Sequence, residues 1–210
     1  MGIDLHIHSN ASDGRFAPSV VVERAHAAGL RTIALTDHDT VDGYAEAVDK
    51  GVECGVRVIA ACEFSVAAPW GELHLLAYFL PTENPRLSSF IDHQRAMRAD
   101  RAGAIVERLS GLGVEVALED VLENANGGAV GRPHVARTLV GCGAATDVND
   151  AFRKYLAAKR PAFVPKKLPE LEDVTELIRS LGGVTSAAHL RSRATRTTLS
   201  GLKKAGVDAV

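Results

Sequence analysis

Apolar positions along the chain fall into short β-type runs that alternate with stretches of helical period. "GIDLHIH" reads as a strand, and "APSVVVERAHAAGL" follows as a helix with Pro18 near its start and Gly29 at its end. "RTIALT" predicts a buried strand, "VDGYAEAVDKGVEC" a helix, and "VRVIAA" a third strand. "ELHLLAYFL" is a fourth, stopped by Pro81. Such a βαβα rhythm predicts parallel strands covered by helices, with ligands gathered at the carboxyl ends of the strands.

The rhythm then breaks. Between Asn84 and Lys159 the pattern is helical throughout, in "NPRLSSFIDHQRAMRADRAGAIVERLSGLG", "ALEDVLENA", "PHVARTLVG" and "VNDAFRKYLAA". This predicts an α-helical insertion, residues 84–159, in an α/β scaffold built from residues 1–83 and 160–210. "RPAFVP" leads back, "LEDVTELIRSLGG" is a helix, and "VTSAAHL" is a core strand ending in His189. A last helix, "TTLSGLKKAG", runs into "VDAV", a strand just beginning, so the expectation is a domain truncated before its last strands.

Composition narrows the picture. A chain of 210 residues, 46% of them apolar, suits one sizeable domain carrying an insertion. A net charge of −2 supplies no basic field for wrapping duplex DNA. Cys54, Cys62 and Cys142 are scattered and odd in number, which reads as reduced thiols in a cytosolic protein. With no signal-like segment and no bilayer-length apolar run, a soluble cytoplasmic protein without a membrane partner is expected.

The candidate chemistry sits where strands stop. Alternation along the first strand puts Asp4, His6 and His8 on one face and Leu5 and Ile7 on the other. Two imidazoles there suit a divalent metal, with Asp4 able to orient one of them. A lone His-x-His is weak, but Asp13 follows in a loop ending at Gly14. "ALTDHDT" puts Asp37, His38 and Asp39 at the end of the second strand, and "ACEFS" puts Glu63 at the end of the third. His74 lies inside the fourth strand and His189 ends a later one. So many ionisable groups at one rim would be costly to bury unpaired, and cations remove that cost. Mixed imidazole and carboxylate ligands suit manganese, zinc or iron better than calcium. In the insertion, Arg95, Arg98 and Arg101 recur at helical spacing, and Arg132 and His134 open another helix in "GRPHVAR". A solvated charged face explains most such arginines, although arginine also pairs bidentately with phosphate and a helix start offers free N–H groups. Lys154 in "FRKYL" is a weaker candidate, His26 and His93 read as surface residues, and Trp70 as a packing residue in a turn.

The stretches "DLHIHSNASDG", "ALTDHDT", "CEFS" and the His74 strand closely resemble the PHP (polymerase and histidinol phosphatase) family. The resemblance covers the whole chain, and its most specific motifs lie in the first eighty residues. It implies a distorted (β/α)7 barrel holding two or three divalent metals, manganese foremost. The insertion and "FRKYL" look like the branch of stand-alone phosphoesterases that act on 3′,5′-nucleoside bisphosphates or 5′ RNA ends. Carried over by motif, His6, His8 and Glu63 would hold one metal, Glu63 would bridge to a second held by His74 and His189, and Asp13 and His38 would hold a third. Arg98, Arg101, Arg132 and His134 would bind substrate phosphate, with His134 also protonating the leaving alkoxide. The reaction implied is hydrolysis of a nucleotide phosphate or a short RNA end by metal-activated water. The absence of an aromatic RNA platform favours the small nucleotide. Two departures stand out: the family's closing Gly-Ser-Asp-x-His segment does not occur, and His189 is followed by Leu190 where proline is usual. A degenerate binding module and a metal-dependent amidohydrolase are the alternative readings.

Overall fold

Three parallel strands open the chain: β1 (Gly2–Ile7), β2 (Leu30–Leu35) and β3 (Arg57–Ala68). They are linked by α1 (Pro18–Ala27) and α2 (Tyr44–Cys54) in a computed structural model that describes residues 2–125 and 127–210. Pro18 opens α1, where its missing N–H is no loss, and Gly55 closes α2 at a left-handed φ of 68°. The apolar stripes of both helices put Val21, Val22, Ala25 and Ala47 against Ile33 and Leu35.

The expected all-parallel order fails after β3. That strand runs well past "VRVIAA" to Ala68, and only Pro69 and Trp70 separate it from β4 (Gly71–Tyr78). A two-residue connection can close a hairpin but cannot carry a crossover helix, so β3 and β4 are antiparallel. Gly71, at φ 114°, supplies backbone freedom at the turn, and Trp70 packs against the core with Nε1 donating to the Glu72 carbonyl. Strand β5 (Val184–Ala187) pairs antiparallel with β4, giving a curled five-stranded sheet in the order β1-β2-β3-β4-β5. Within "VDAV", Ala209 makes an isolated parallel bridge to Ser186.

Between β4 and β5 lie α3 (Pro85–Ser110), α4 (Leu118–Asn124), α5 (Arg132–Gly141), α6 (Val148–Ala151) and α7 (Leu171–Ser180). The "FRKYL" segment continues α6 as a π-helical turn, Phe152–Leu156. The long helix α3 joins two cores. Its Leu87 and Ile91 pack with Phe64 and Leu75 of the sheet and Ile178 of α7. Its Ile105 and Leu109 pack with Val121, Val135, Leu139 and Leu156 of the following helices. After β5, α8 (Arg196–Lys204) returns Leu202 to the sheet-side core. All three cysteines are free, and among the described residues no helix is long and apolar enough to cross a membrane.

Candidate metal centre and its cleft

Register decides which side chains meet. Glu63 pairs with Leu76, Ser65 with His74 and Ala67 with Glu72, so Glu63, Ser65, Glu72 and His74 share one face of the hairpin. Phe64, Val66, Leu73 and Leu75 take the opposite face and are buried in the core. Glu63 is therefore mid-strand, not at a strand end as expected. It still reaches the rim because β2 stops at Leu35, and the chain beyond bridges His38 to Glu63.

Around that carboxylate the structure brings together all seven residues anticipated as metal ligands. Glu63 Oε2 lies 3.0 Å from His6 Nε2, 3.0 Å from His8 Nε2 and 3.6 Å from His38 Nδ1. Its Oε1 lies 2.9 Å from His74 Nδ1 and 3.2 Å from His189 Nε2. Asp13 closes the group, 3.7 Å from His8 Nδ1 and 3.9 Å from His38 Nε2. Burial alone would raise the Glu63 pKa, but hydrogen bonds from His6, His74 and His8 hold it far below the usual carboxylate range. Burial pushes the His38 imidazole down to about 4, so this ring is neutral at pH 7. Asp4 does not orient an imidazole as anticipated; its carboxylate accepts from the His6 backbone N–H at 3.1 Å.

The donor set fits divalent cations. Five imidazoles face one carboxylate that is only 1% exposed. The Nε2 atoms of His6 and His8 approach to 3.1 Å, a contact between two lone pairs unless a proton or a cation lies between them. Among the described residues the buried Nδ1 atoms of His8 and His38 have no hydrogen-bond partner. Ligand atoms of His6, Glu63 and His189 gather within 4.8 Å of one another, as do those of His8, His38 and Glu63. Asp39, beside His38, and His189 of the cluster itself adopt left-handed backbone conformations uncommon outside glycine, at φ 48° and 36°.

Asp37 has a different task. Its carboxylate accepts from Ser9 N at 2.7 Å, Ser9 Oγ at 2.6 Å and Ser12 Oγ at 2.6 Å, which pins the loop carrying Asp13. Gly14 closes that loop so tightly that a Cβ would stand 2.6 Å from the Ser9 carbonyl. Arg137 of α5 donates to the Asp13 carbonyl at 2.9 Å from the other side.

A cavity of about 180 Å³ separates this centre from the helices. Asp13, His38, Glu72, His74 and Lys166 line it together with Arg98, Arg101, Arg132 and Phe152. Arg98 bonds Asp39 at 2.6 Å, while among the described residues its buried Nη2 has no partner. Arg101 donates to the Val164 carbonyl at 2.9 Å, and burial beside Arg132 lowers its pKa to about 10. Arg132 lies over Phe152 and Phe163, 5.5 and 5.8 Å from the ring centroids. His134 also borders the cavity, but both ring nitrogens are committed. Nδ1 accepts from Gly131 N at 2.9 Å and Nε2 donates to the Ser12 carbonyl at 3.1 Å. With both nitrogens so engaged, the ring ties the start of α5 to the Asp13 loop.

Two other candidates lie apart from the cleft. Arg95 bonds Asp42 at 2.7 Å and the Gly127 carbonyl at 2.6 Å. Lys154 pairs with Asp150 at 2.7 Å. His26 and His93 are exposed, as expected. Sequence reasoning missed Lys166, Ser65 and Glu72. Glu72 had a signal, standing two residues before His74 on the same strand face, whereas Lys166 has no local one.

The PHP domain family matches residues 4–159 of the chain. The chain is 36% identical to the 5′-3′ exoribonuclease of Escherichia coli over 188 residues, covering 89% of this chain and 64% of that protein. It is 34% identical to the 3′,5′-nucleoside bisphosphate phosphatase of Chromobacterium violaceum over 190 residues, covering 89% and 66%. The chain thus spans about two thirds of the length of these relatives. A crystal structure from Bifidobacterium adolescentis described as that of a metal-dependent phosphoesterase aligns with a TM-score of 0.90 at 32% identity, over 100% of this chain and 76% of that one. An amidohydrolase structure from Chromobacterium violaceum, with bound sulfate and no metal, aligns at 0.88 and 31% identity, again over 100% and 76%. A match across most of the chain, falling on the strands that bring His6, His8 and Glu63 together, establishes that the chain belongs to the PHP domain family.

Proposed function

We propose that this chain is the metal-bearing part of a phosphoesterase that hydrolyses a nucleotide phosphate, either a 3′,5′-nucleoside bisphosphate or the 5′ end of a short RNA. The observation that carries the reading is a Glu63-centred ring of imidazoles facing a cleft walled by Arg98, Arg101 and Arg132. His6, His8 and Glu63 would hold one divalent ion, His74 and His189 with Glu63 a second, and Asp13 with His38 a third, manganese suiting these donors and zinc or iron being possible occupants. Bound there, such ions supply Lewis acidity and a nucleophile at neutral pH. Glu63 keeps the ligand rings converged on one point. The unpartnered Arg98 Nη2, together with Arg101 and Arg132, offers charge for phosphoryl oxygens. The arrangement also supports reading the sheet as part of a distorted seven-stranded barrel, with residues 84–159 as a helical insertion covering its site.

The two named relatives act, by name, on RNA ends and on nucleoside bisphosphates, and the sulfate held by a structural neighbour is in keeping with an anion site. That neighbour's description as an amidohydrolase keeps amide hydrolysis as a second reading, but an amide would leave the arginine wall without a partner. The deciding experiment is phosphate release from adenosine 3′,5′-bisphosphate and from a 5′-phosphorylated oligoribonucleotide, with and without manganese, beside a panel of amides. Manganese-dependent phosphate or nucleotide release supports the reading. Amide turnover without phosphoester turnover overturns it.

A further inference from the structure

The metal-facing side of the β3–β4 hairpin carries a charged chain that continues beyond His74. Glu72 Oε1 lies 3.4 Å from His74 Nε2, on the far side of the ring from Glu63, which meets Nδ1 at 2.9 Å. Lys166 Nζ donates to the same Glu72 oxygen at 2.7 Å and to Ser65 Oγ at 2.6 Å. Ser65 is the cross-strand neighbour of His74. Lys166 projects from a segment fixed on two sides: Ala67 N donates to the Pro169 carbonyl at 2.8 Å, and Arg101 Nε donates to the Val164 carbonyl at 2.9 Å.

We propose that Lys166 and Glu72 form an orienting relay for His74, with Ser65 fixing the ammonium group. This rests on the metal reading above and adds residues to it. A neutral imidazole has one donor and one acceptor nitrogen, and the bond made by one sets the role of the other. A carboxylate at Nε2 takes the N–H there and leaves the Nδ1 lone pair directed at the centre. Glu72 alone would add a second negative charge to a site already built on Glu63, and with a third of its side chain exposed it could swing to solvent. Lys166 offsets that charge and holds the oxygen in place. Lys166 lines the same cavity as Arg98, Arg101 and Arg132, but two of its three N–H groups are spent on Glu72 and Ser65. Lys166 is a positioning residue, acting through Glu72.

The test is manganese affinity of the whole chain, measured by titration calorimetry for wild type, Glu72→Gln, Lys166→Met and the double variant. Loss of an outer partner of a metal-bound histidine weakens binding by about 10–100-fold, and both single variants should fall in that range. Because the two residues act in series, the double variant should bind no more weakly than Glu72→Gln. At saturating manganese, Lys166→Met should keep the wild-type KM for adenosine 3′,5′-bisphosphate. Unchanged manganese affinity in Lys166→Met overturns the relay, and a raised KM with unchanged affinity makes Lys166 a substrate contact instead. Should Lys166→Met fail to fold, Ser65→Ala, which removes one hydroxyl, should weaken manganese binding in the same direction, and unaltered binding there overturns the relay equally. A wild-type chain that binds no divalent cation defeats the metal reading itself, an outcome distinct from variants that bind as tightly as wild type.

Discussion

Arg98 Nε donates to Asp39 Oδ2 at 2.6 Å, and the two side chains are only 9% and 4% exposed. The pair joins α3 to the loop after β2, and among the described residues Arg98 Nη2 and Asp39 Oδ1 are buried without partners. Removing Arg98 abandons Asp39 in low dielectric. Arg98→Ala should therefore cost about 3–5 kcal/mol of stability, as breaking buried pairs does, read as a lower urea midpoint. A loss under 1 kcal/mol would mean that Asp39 finds water or another partner.

Arg132 should behave differently, because it stacks on Phe152 and Phe163 and holds no buried carboxylate. Arg132→Ala should leave metal content unchanged while lowering kcat/KM on a nucleoside bisphosphate about ten- to a hundredfold, the equivalent of roughly 1.5–3 kcal/mol for a lost charge-assisted contact. Wild-type turnover would reduce Arg132 to a packing residue of the π-helical turn.

Glu63 touches both halves of the imidazole ring system, so its charge has no substitute. Glu63→Gln keeps the volume and removes the charge. Metal affinity should drop by more than the ~10–100-fold that outer partners cost, and phosphoester hydrolysis should fall with it. Elemental analysis after gel filtration reads the first effect and phosphate release the second. Retained metal with lost hydrolysis would give Glu63 a role in the reaction and none in holding the ions.

Much of this centre was legible because it is written locally. The alternation of β1 places His6 and His8 together, and the ligand types recur wherever an apolar run stops. The hairpin was not legible, since "RVIAACEFSVAA" gives no sign that the strand outlasts β2, and Pro69-Trp70 reads as any turn. That error displaced Glu63 on paper without removing it from the rim. The contacts of Lys166 and Asp39 were invisible for a different reason. Lys166 meets Ser65 from 101 residues away and Arg98 meets Asp39 from 59, distances at which no periodicity survives. His134 looks available as a helix-start histidine beside arginines, and only the fold shows what its two nitrogens contact.

Asp150 gives a pH dependence that lies away from the centre. Hydrogen bonds from Lys154, the Thr146 N–H and Arg153 hold its pKa below the ordinary carboxylate value. A depressed folded pKa contributes stability that is present above the unfolded value, about 3.9, and is lost as pH falls through the folded one. Asp150→Asn should accordingly lower Tm at pH 7, with the gap from wild type narrowing as pH drops below 4. A gap that stays constant across that range would assign the loss to packing of the α6 turn and not to charge.

The last prediction separates a strut from a proton donor. His134 is 1% exposed, burial lowers its pKa, and its ring joins Gly131 N to the Ser12 carbonyl, which ties the start of α5 to the Asp13 loop. His134→Phe fills the volume but strands a buried N–H and a buried C=O, each costing about 1–3 kcal/mol when left unsatisfied. The variant should unfold at lower urea and bind manganese more weakly, since Asp13 loses the tether that aims its loop. Its pH–rate profile, measured at saturating manganese, should keep the same limbs as wild type, because no proton passes through the ring. A profile that loses the limb of a group needed in its protonated form, with stability intact, would return His134 to the role of general acid.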